Sequence, residues 1–404
     1  MTTPYLPMDL VEEIVCRVPL NSMRALRLTC KGLYTLSKTP RFMKKIGATR
    51  EGETGMIVLM DYNLYLVSVV VKGDFSAELK GKLTCLNDSD QVKISKVFHC
   101  EGLVLCILKD DTRFVVWNPY CGETKWIKPR YSYDRCQERF CYALGYVNTK
   151  FCRSHKLLRF IDYYKHISGI QSICYEIYDF DTDLWTNLAV TPHWRISSNN
   201  LGVSLKGNTY WCASERPPSG HDRFNNHLIC FDFTKESFGP LMPLPFSPKY
   251  KDFVTLSCVK EEKLSALLQR FEPDPSEVEI WITTKIEAKK VSWNKFLMVD
   301  MRLGISYKLE SFFIDEEKKV AMSFDKTFNC YVVNIIGEAG YFEQVDLRKS
   351  GDNNYRPCAC AFVPSLMQIK QPERGQRKDQ SILEKRPFDQ NKLRALRLAY
   401  FTKA

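Results

Sequence analysis

From Met56 onward, short apolar or alternating runs are separated by turn residues, and few stretches have helical spacing. This pattern predicts β-strands joined by tight turns. One unit recurs along the region: an apolar strand, a polar turn and a second strand that carries an aromatic residue. Five clear copies and a weaker sixth begin at Phe114, Cys174, His227, Val278, Cys330 and, for the weaker copy, Leu64.

The repeat has a nearly constant length. Its marker aromatics are Tyr65, Trp117, Tyr178, Phe231, Trp281 and Tyr331, which lie 52, 61, 53, 50 and 50 residues apart. A further hairpin-like pair precedes most copies, so each repeat supplies several strands. Such a period is typical of a β-propeller blade, and six copies predict six blades over residues 56–369. A pair of irregular β-sandwiches with similar hairpins remains the alternative.

The start of the chain has helical spacing instead. Between Pro7 and Pro19, one apolar face is formed by Leu10, Val11, Ile14, Val15 and Val18. Asp9 is the expected N-cap of this helix, and Glu12, three residues later, completes a capping-box pattern.

Two further short helices are expected, one from Asn21 or Ser22 and one through Leu33 and Leu36. The predicted organisation is a small three-helix domain in residues 1–46, a connection in 47–55, an all-β domain in 56–369 and a tail in 370–404. The connection contains three glycines and is a candidate hinge.

Three helices in about 40 residues are too few to bury all these apolar side chains among themselves. Either the helices cap the rest of their own chain, or their surplus apolar face is a docking surface for a partner. The pattern alone leaves both interpretations open.

Charge and candidate chemistry narrow the function. The net charge of the 404 residues is +11, but the tail contributes +6 from ten Lys/Arg and four Asp/Glu. The body is therefore only mildly basic, so nucleic acid is not an expected partner. The polar, charged tail is typical of disorder.

No catalytic or cofactor motif is found. The sixteen cysteines form no CxxC pair, and the six histidines have no zinc-binding spacing, so reduced, buried thiols and no metal are expected. Asp179, Asp181 and Asp183 lack the glycine and glutamate of a calcium loop and predict a β-turn. No apolar run is long enough for a membrane span. The start of the chain has Pro4 and Pro7 where a secretion signal needs an apolar stretch, so no such signal is expected.

The order of residues in LPMDLVEEIVCRVPLNSMRALRLTCKGLYTLSKTPRF resembles the F-box, from Leu6 to about Lys45. The resemblance implies binding to the Skp-type adaptor of a cullin ubiquitin ligase. The candidate adaptor contacts are Leu6, Pro7, Leu10, Ile14, Val18, Pro19, Leu26, Cys30, Lys31 and Leu33. The family usually has Trp at the position of Leu33, which lowers the contact area expected there.

The remainder resembles the F-box-associated domain of plant F-box proteins, a kelch-like substrate-recruiting module. The resemblance spans about Phe98 to Ile369 and rests on VVWNPYCGETKWI, YALGYV, YEIYDF, VSLKGNTYW, CFDFTKESFGPLMPLPF, EIWITTKI, VSWNKFLMVD and AFVPSLMQI. The implied function is the non-catalytic substrate-recognition subunit of a Skp-cullin-F-box E3 ubiquitin ligase, with an unknown protein substrate, in the cytoplasm or nucleus.

Two other functions stay open: a propeller interaction module whose F-box is weakened by Leu33, and a small-molecule-binding or enzymatic propeller. Substrate contacts on a propeller are expected from long loops on one face. The candidate loops are Tyr131–Arg139, Tyr163–Ile170, Thr191–Asn200, Glu215–Asn226 and Phe271–Ser276.

Overall fold

The computed structural model describes most of the chain up to residue 369. The described residues are 6–18, 22–37, 39, 41–42, 45, 53–72, 74–83, 93–109, 113–129, 140–148, 153–165, 170–197, 200–216, 226–249, 251–270, 276–287, 289–301, 309–351 and 356–369. The predicted tail and most of the predicted connection lie outside these residues.

Three short helices come first: α1 (Met8–Cys16), α2 (Met23–Thr29) and α3 (Lys31–Leu36), which we call the helical domain. The prediction of three helices, with Ser22 directly before the second, is confirmed. The prediction of Asp9 as N-cap is wrong. The N-cap is Pro7, whose extended backbone lets its carbonyl accept from the N–H groups of Leu10 and Val11, so Asp9 lies inside the first turn.

Apart from helical backbone at Arg41, Phe42 and Lys45 and a short 3-10 helix at Glu338–Gly340, the regular structure of the described residues is β-sheet. The strands are β1 (Glu53–Met60), β2 (Asn63–Lys72), β3 (Asp74–Leu83), β4 (Ile94–Cys100), β5 (Leu103–Leu108), β6 (Phe114–Trp117), β7 (Thr124–Ile127), β8 (Cys141–Asn148), β9 (Arg153–Lys165), β10 (Ile170–Asp179), β11 (Leu184–Asn187), β12 (Trp194–Arg195), β13 (Val203–Leu205), β14 (Asn208–Glu215), β15 (His227–Asp232), β16 (Ser237–Phe238), β17 (Met242–Pro243), β18 (Phe253–Val259), β19 (Lys263–Arg270), β20 (Ser276–Glu287), β21 (Lys290–Met301), β22 (Phe312–Asp315), β23 (Val320–Lys326), β24 (Cys330–Gly337), β25 (Phe342–Lys349) and β26 (Cys358–Ala361).

These strands form six antiparallel sheets, the blades of a six-bladed β-propeller. In order around the ring the blades are β26-β1-β2-β3, β4-β5-β6-β7, β8-β9-β10-β11, β12/β13-β14-β15-β16/β17, β18-β19-β20-β21 and β22-β23-β24-β25. The predicted six blades are therefore confirmed, and the sandwich alternative is set aside. Six apolar clusters each join two neighbouring blades, so the core is a ring of interfaces.

The positions of the six marker aromatics explain why the repeat length is visible in the sequence. All six lie on the third strand of a blade, namely β2, β6, β10, β15, β20 and β24. Each marker is at most partly exposed, and Phe231 and Tyr331 are fully buried. Five of the six belong to apolar clusters between neighbouring blades, where an aromatic ring fills the wedge-shaped space. Trp281 belongs to none of these clusters; its Nε1 donates to Glu279 and its ring lies 5.1 Å from Lys295 Nζ.

Alternation of strand direction gives the ring two distinct faces. Turns from first to second strand, such as Glu101–Gly102 and Lys260–Glu262, open at one face, as do turns from third to fourth strand. We call this the helix face. Turns from second to third strand, such as Asp61–Tyr62, and the connections between blades open at the opposite face, which we call the insertion face.

The helical domain packs on the helix face of the first two blades. Val15, Cys16, Met23, Leu36 and Phe42 are buried in one apolar cluster with side chains of strands β1 to β6. The helices therefore do cap their own chain, as one of the two interpretations expected. That interpretation does not account for the whole apolar surface, because another side of the domain stays exposed.

Candidate protein-binding surfaces

The outer side of α1 is apolar and exposed. Leu10 and Ile14 lie four residues apart, on one side of the helix, and are 51% and 54% exposed. The next residue, Val15, points the other way and is 4% exposed. Helix α1 therefore has one apolar side that packs on its own propeller and a second apolar side that is exposed to solvent.

The ten candidate adaptor contacts divide between these two sides. Leu6, Pro7, Leu10, Ile14, Cys30 and Lys31 are exposed. Val18, Leu26 and Leu33 are half-buried and pack against the cluster shared with the propeller. Pro19 lies outside the described residues. The thiol of exposed Cys30 also accepts a hydrogen bond from the N–H of Leu33 and so caps α3.

Two exposed side chains were missed by sequence reasoning. Met8 is 58% exposed and Tyr34 is 45% exposed, so both extend the outer apolar surface of the helical domain. Met8 lies two residues before Leu10, and Tyr34 directly follows half-buried Leu33. Helical spacing gave no signal for Met8, because residues two apart do not share a helix side, and the exposure of Tyr34 depends on how α3 is docked.

Ion pairs fix the polar side of α1. Arg41 lies 3.7 Å from the Glu12 carboxylate, and Lys45 lies 3.8 Å from it and 3.5 Å from Glu13. Glu12 is largely buried, so removal of these cations would leave a buried carboxylate without a nearby opposite charge.

The described strand ends on either side of the five candidate substrate loops all lie at the insertion face. Each loop lies either between the second and third strand of a blade or between two blades, and both kinds of connection open there. Parts of them are regular structure: residues 163–165 extend β9, and Trp194–Arg195 form β12, which pairs with β14. Much of the remainder, including all of Tyr131–Arg139, lies outside the described residues.

A cavity of about 110 Å³ occupies the centre of the ring, lined by the innermost strands of five blades. His99, Glu101 and Glu261 line its end near the helix face. Tyr146 and Arg153 both donate hydrogen bonds to the carboxylate of Glu101. His99 Nε2 accepts from the N–H of Gly102 at 2.8 Å, so Nδ1 holds the ring proton and lies 3.8 Å from Glu261 Oε1.

The charge states in this cavity follow from burial. Burial lowers the pKa of His99 to about 4. Burial, reinforced by the nearby Glu101 carboxylate, raises the pKa of Glu261 to about 7. Burial raises the pKa of the Cys258 thiol to about 12 and also raises that of Cys360. These two thiols are therefore protonated at neutral pH and are poor nucleophiles.

Within the described ranges, no three His, Cys, Asp or Glu side chains group closely enough to hold a metal ion. The predicted β-turn at Asp179 is confirmed, because its carboxylate accepts from the N–H groups of Asp181 and Thr182. No helix in the described part of the chain is both long and apolar enough to span a membrane.

Comparison with known proteins agrees with this architecture. The F-box domain matches residues 4–45, and the F-box associated β-propeller domain matches residues 55–369. F-box/kelch-repeat protein At4g33290 of Arabidopsis thaliana is 54% identical, with 96% of this chain and 94% of that protein covered. F-box protein At2g38590 of the same plant is 52% identical, with 96% of each chain covered. The chain thus belongs to the F-box proteins with an F-box associated β-propeller, a family of generally non-catalytic substrate receptors, and the helical domain is its F-box.

Proposed function

We propose that this protein is the substrate-recognition subunit of a Skp-cullin-F-box E3 ubiquitin ligase. The outer side of the F-box binds the Skp-type adaptor, and the insertion face of the propeller recruits a target protein. The observation that carries the proposal is the exposure of Leu10 and Ile14 on a helix whose opposite side is buried in the propeller. A helix used only as a cap would leave polar residues at these outer positions.

The two binding functions are assigned to opposite faces of one ring. The F-box packs on the helix face, whereas the long connections leave the insertion face. A target held there stays clear of the adaptor surface. The protein then contributes proximity instead of bond chemistry, because a bound target meets the ubiquitin-carrying enzyme at a high effective concentration.

Leu33 supports a second function, a propeller interaction module that does not assemble a ligase. Its side chain is half-buried against the propeller cluster and offers little area to a partner. The exposed ring of neighbouring Tyr34 supplies aromatic surface beside it, so we favour the ligase function.

Calorimetry of the full chain with purified adaptor tests the proposal. Wild-type protein should bind, and Ile14→Ala should weaken binding at least about tenfold, as expected for truncation of a central apolar contact. Phe328→Ala is the matched control, since Phe328 is 87% exposed in the turn between β23 and β24, at the insertion face. Absence of binding by the wild-type protein would overturn the ligase function and leave the interaction module.

A further inference from the structure

Asn118 is a buried residue that joins two distant parts of the chain. It lies in the turn between β6 and β7 and has no exposed surface. Its Oδ1 accepts from the N–H groups of Tyr120 and Cys121, at 2.9 and 3.0 Å. Its Nδ2 donates to the carbonyls of Ser365 and Met367, at 3.0 and 2.7 Å. Among short side chains, only that of asparagine carries both two N–H donors and an acceptor oxygen.

Tyr120, two residues later, reaches the F-box. Its hydroxyl donates to the carbonyl of Ser37 at 2.9 Å, and its own carbonyl accepts from Arg27 Nη1 at 3.1 Å. The Arg27 guanidinium carbon also lies 5.5 Å from the centre of the Tyr120 ring and 5.5 Å from that of Tyr34. Because both Tyr120 and Arg27 are buried, these polar contacts are shielded from water.

Besides this turn and the F-box, the junction includes the segment 362–369, which we call the strap. It directly follows the closing strand β26 and crosses the helix face of the second blade. The N–H of Phe362 donates to the carbonyl of Gly55, and the N–H of Ile369 donates to Glu123 Oε2. Gly102 makes room for it, since a Cβ there would lie 2.1 Å from Ser365 Cβ.

The strap also contacts the F-box side of the junction. Leu366 packs against the apolar cluster that holds Val15 and Phe42 of the F-box. The first domain of the chain and the last segment of the ring therefore meet on one turn of the second blade. On that turn, buried Asn118 is hydrogen-bonded to the strap, and Tyr120 is hydrogen-bonded to the F-box.

We propose that Asn118 and Tyr120 are positioning residues that hold the F-box at one angle to the propeller, with the strap as their anchor. The proposal extends the proposed function, because a fixed angle matters to a receptor suspended from its adaptor. A bound target would then sit at one distance from the ubiquitin-carrying enzyme, which raises its effective concentration. Since the strap follows the strand that closes the ring, a correctly angled F-box also requires a closed propeller.

The test measures the angle in the free full-length chain, so its outcome is separate from adaptor binding. Fluorescent amino acids incorporated at Ala25 and Lys206, which are both exposed, report the distance between F-box and propeller. The variants are Asn118→Ala and Tyr120→Phe. The control is Tyr331→Phe, which removes a comparable hydroxyl hydrogen bond, 2.8 Å to Asp61, in the sixth blade.

Both junction variants should broaden the distance distribution, and the control should leave it narrow. Amide hydrogen exchange in α2 and α3 should rise about tenfold through local opening, while exchange in β19 of the fifth blade stays unchanged. A purely structural role would instead raise exchange in all blades. If Asn118→Ala does not fold, Tyr120→Phe decides alone. A narrow distribution with unchanged α2 and α3 exchange in Tyr120→Phe would overturn the proposal.

Discussion

Val58 of the first propeller strand pairs directly with Ala359 of the last. Strand β26 thereby becomes the innermost strand of the first blade, so the two ends of the propeller sequence share one sheet. The pairing also removes the exposed edge that β1 would otherwise present, which is the general advantage of a closed ring.

The closing strand should be essential and the tail dispensable for folding. Deletion after Pro357 removes β26 and exposes the edge of β1, so we expect loss of the cooperative thermal transition and aggregation. Deletion after Ile369 is the matched control, because it retains every pair between β1 and β26. Differential scanning calorimetry distinguishes them; an unchanged transition in the shorter protein would contradict the closing role.

Tyr34 and Leu33 should separate adaptor binding from stability. Tyr34 is 45% exposed, whereas half-buried Leu33 packs toward the propeller. Tyr34→Ala should therefore weaken adaptor binding about tenfold. Leu33→Ala should mainly lower the free energy of unfolding, by about 1–2 kcal/mol for a half-buried leucine. Calorimetric titration and urea unfolding of both variants check this, and reversed effects would assign the adaptor contact to Leu33.

His99 and Glu261 should give opposite pH dependences of stability. The pKa of His99 falls on folding from its ordinary 6.5 to about 4, so its neutral form stabilises the fold above pH 6.5 and this contribution is lost as the pH falls towards 4. The pKa of Glu261 rises from 4.5 to about 7, so its contribution is present below pH 4.5 and lost as the pH rises through 7. The two slopes nearly cancel in the wild-type protein.

Single substitutions should reveal how each residue makes the free energy of unfolding depend on pH. Relative to wild type, Glu261→Gln should gain stability as the pH rises from 4.5 to 7, by up to about 3 kcal/mol. His99→Gln should lose stability relative to wild type as the pH rises from 4 to 6.5, by a similar amount of about 3 kcal/mol. Urea unfolding across this pH range measures both; parallel curves for wild type and Glu261→Gln would show that this carboxyl titrates normally.

Arg159 and Glu176 form a buried ion pair in the third blade. They face each other across β9 and β10, with Nη1 and Oε1 3.0 Å apart and side chains 1% and 3% exposed. Glu176→Ala leaves a buried guanidinium without its carboxylate and should lower the free energy of unfolding by about 3–5 kcal/mol. The double variant Arg159→Met/Glu176→Leu should lose much less, because no charge stays buried. If urea unfolding showed equal losses of unfolding free energy for the single and the double variant, an unpaired buried charge would not be the cause.

Local patterns in the sequence determined much of the fold. Six third-strand aromatics recur about every 50 residues, so the number of blades was readable without a structure. The apolar spacing and prolines near Leu10 and Ile14 likewise predicted the first helix. These features could be read because each depends on residues close together in the chain.

Tertiary structure decided which surfaces remain free. Ile14 and Val15 are adjacent and both apolar, and only the docking of α1 on the propeller makes one exposed and the other buried. The N-cap is Pro7 instead of Asp9, because the Pro7 carbonyl accepts the first hydrogen bonds of the helix and no capping side chain is used. No sequence pattern tells which of Ile14 and Val15 is exposed, or whether Pro7 or Asp9 is the N-cap.

Local sequence was enough to predict a helical F-box followed by six repeats, because periodicity and motif order are properties of neighbouring residues. Ring closure, by contrast, pairs Ala359 with Val58, brings the strand ends beside the long connections to one face, and lets Asn118 bind the strap. These relationships join residues far apart in the chain, and they exist only once the ring has closed.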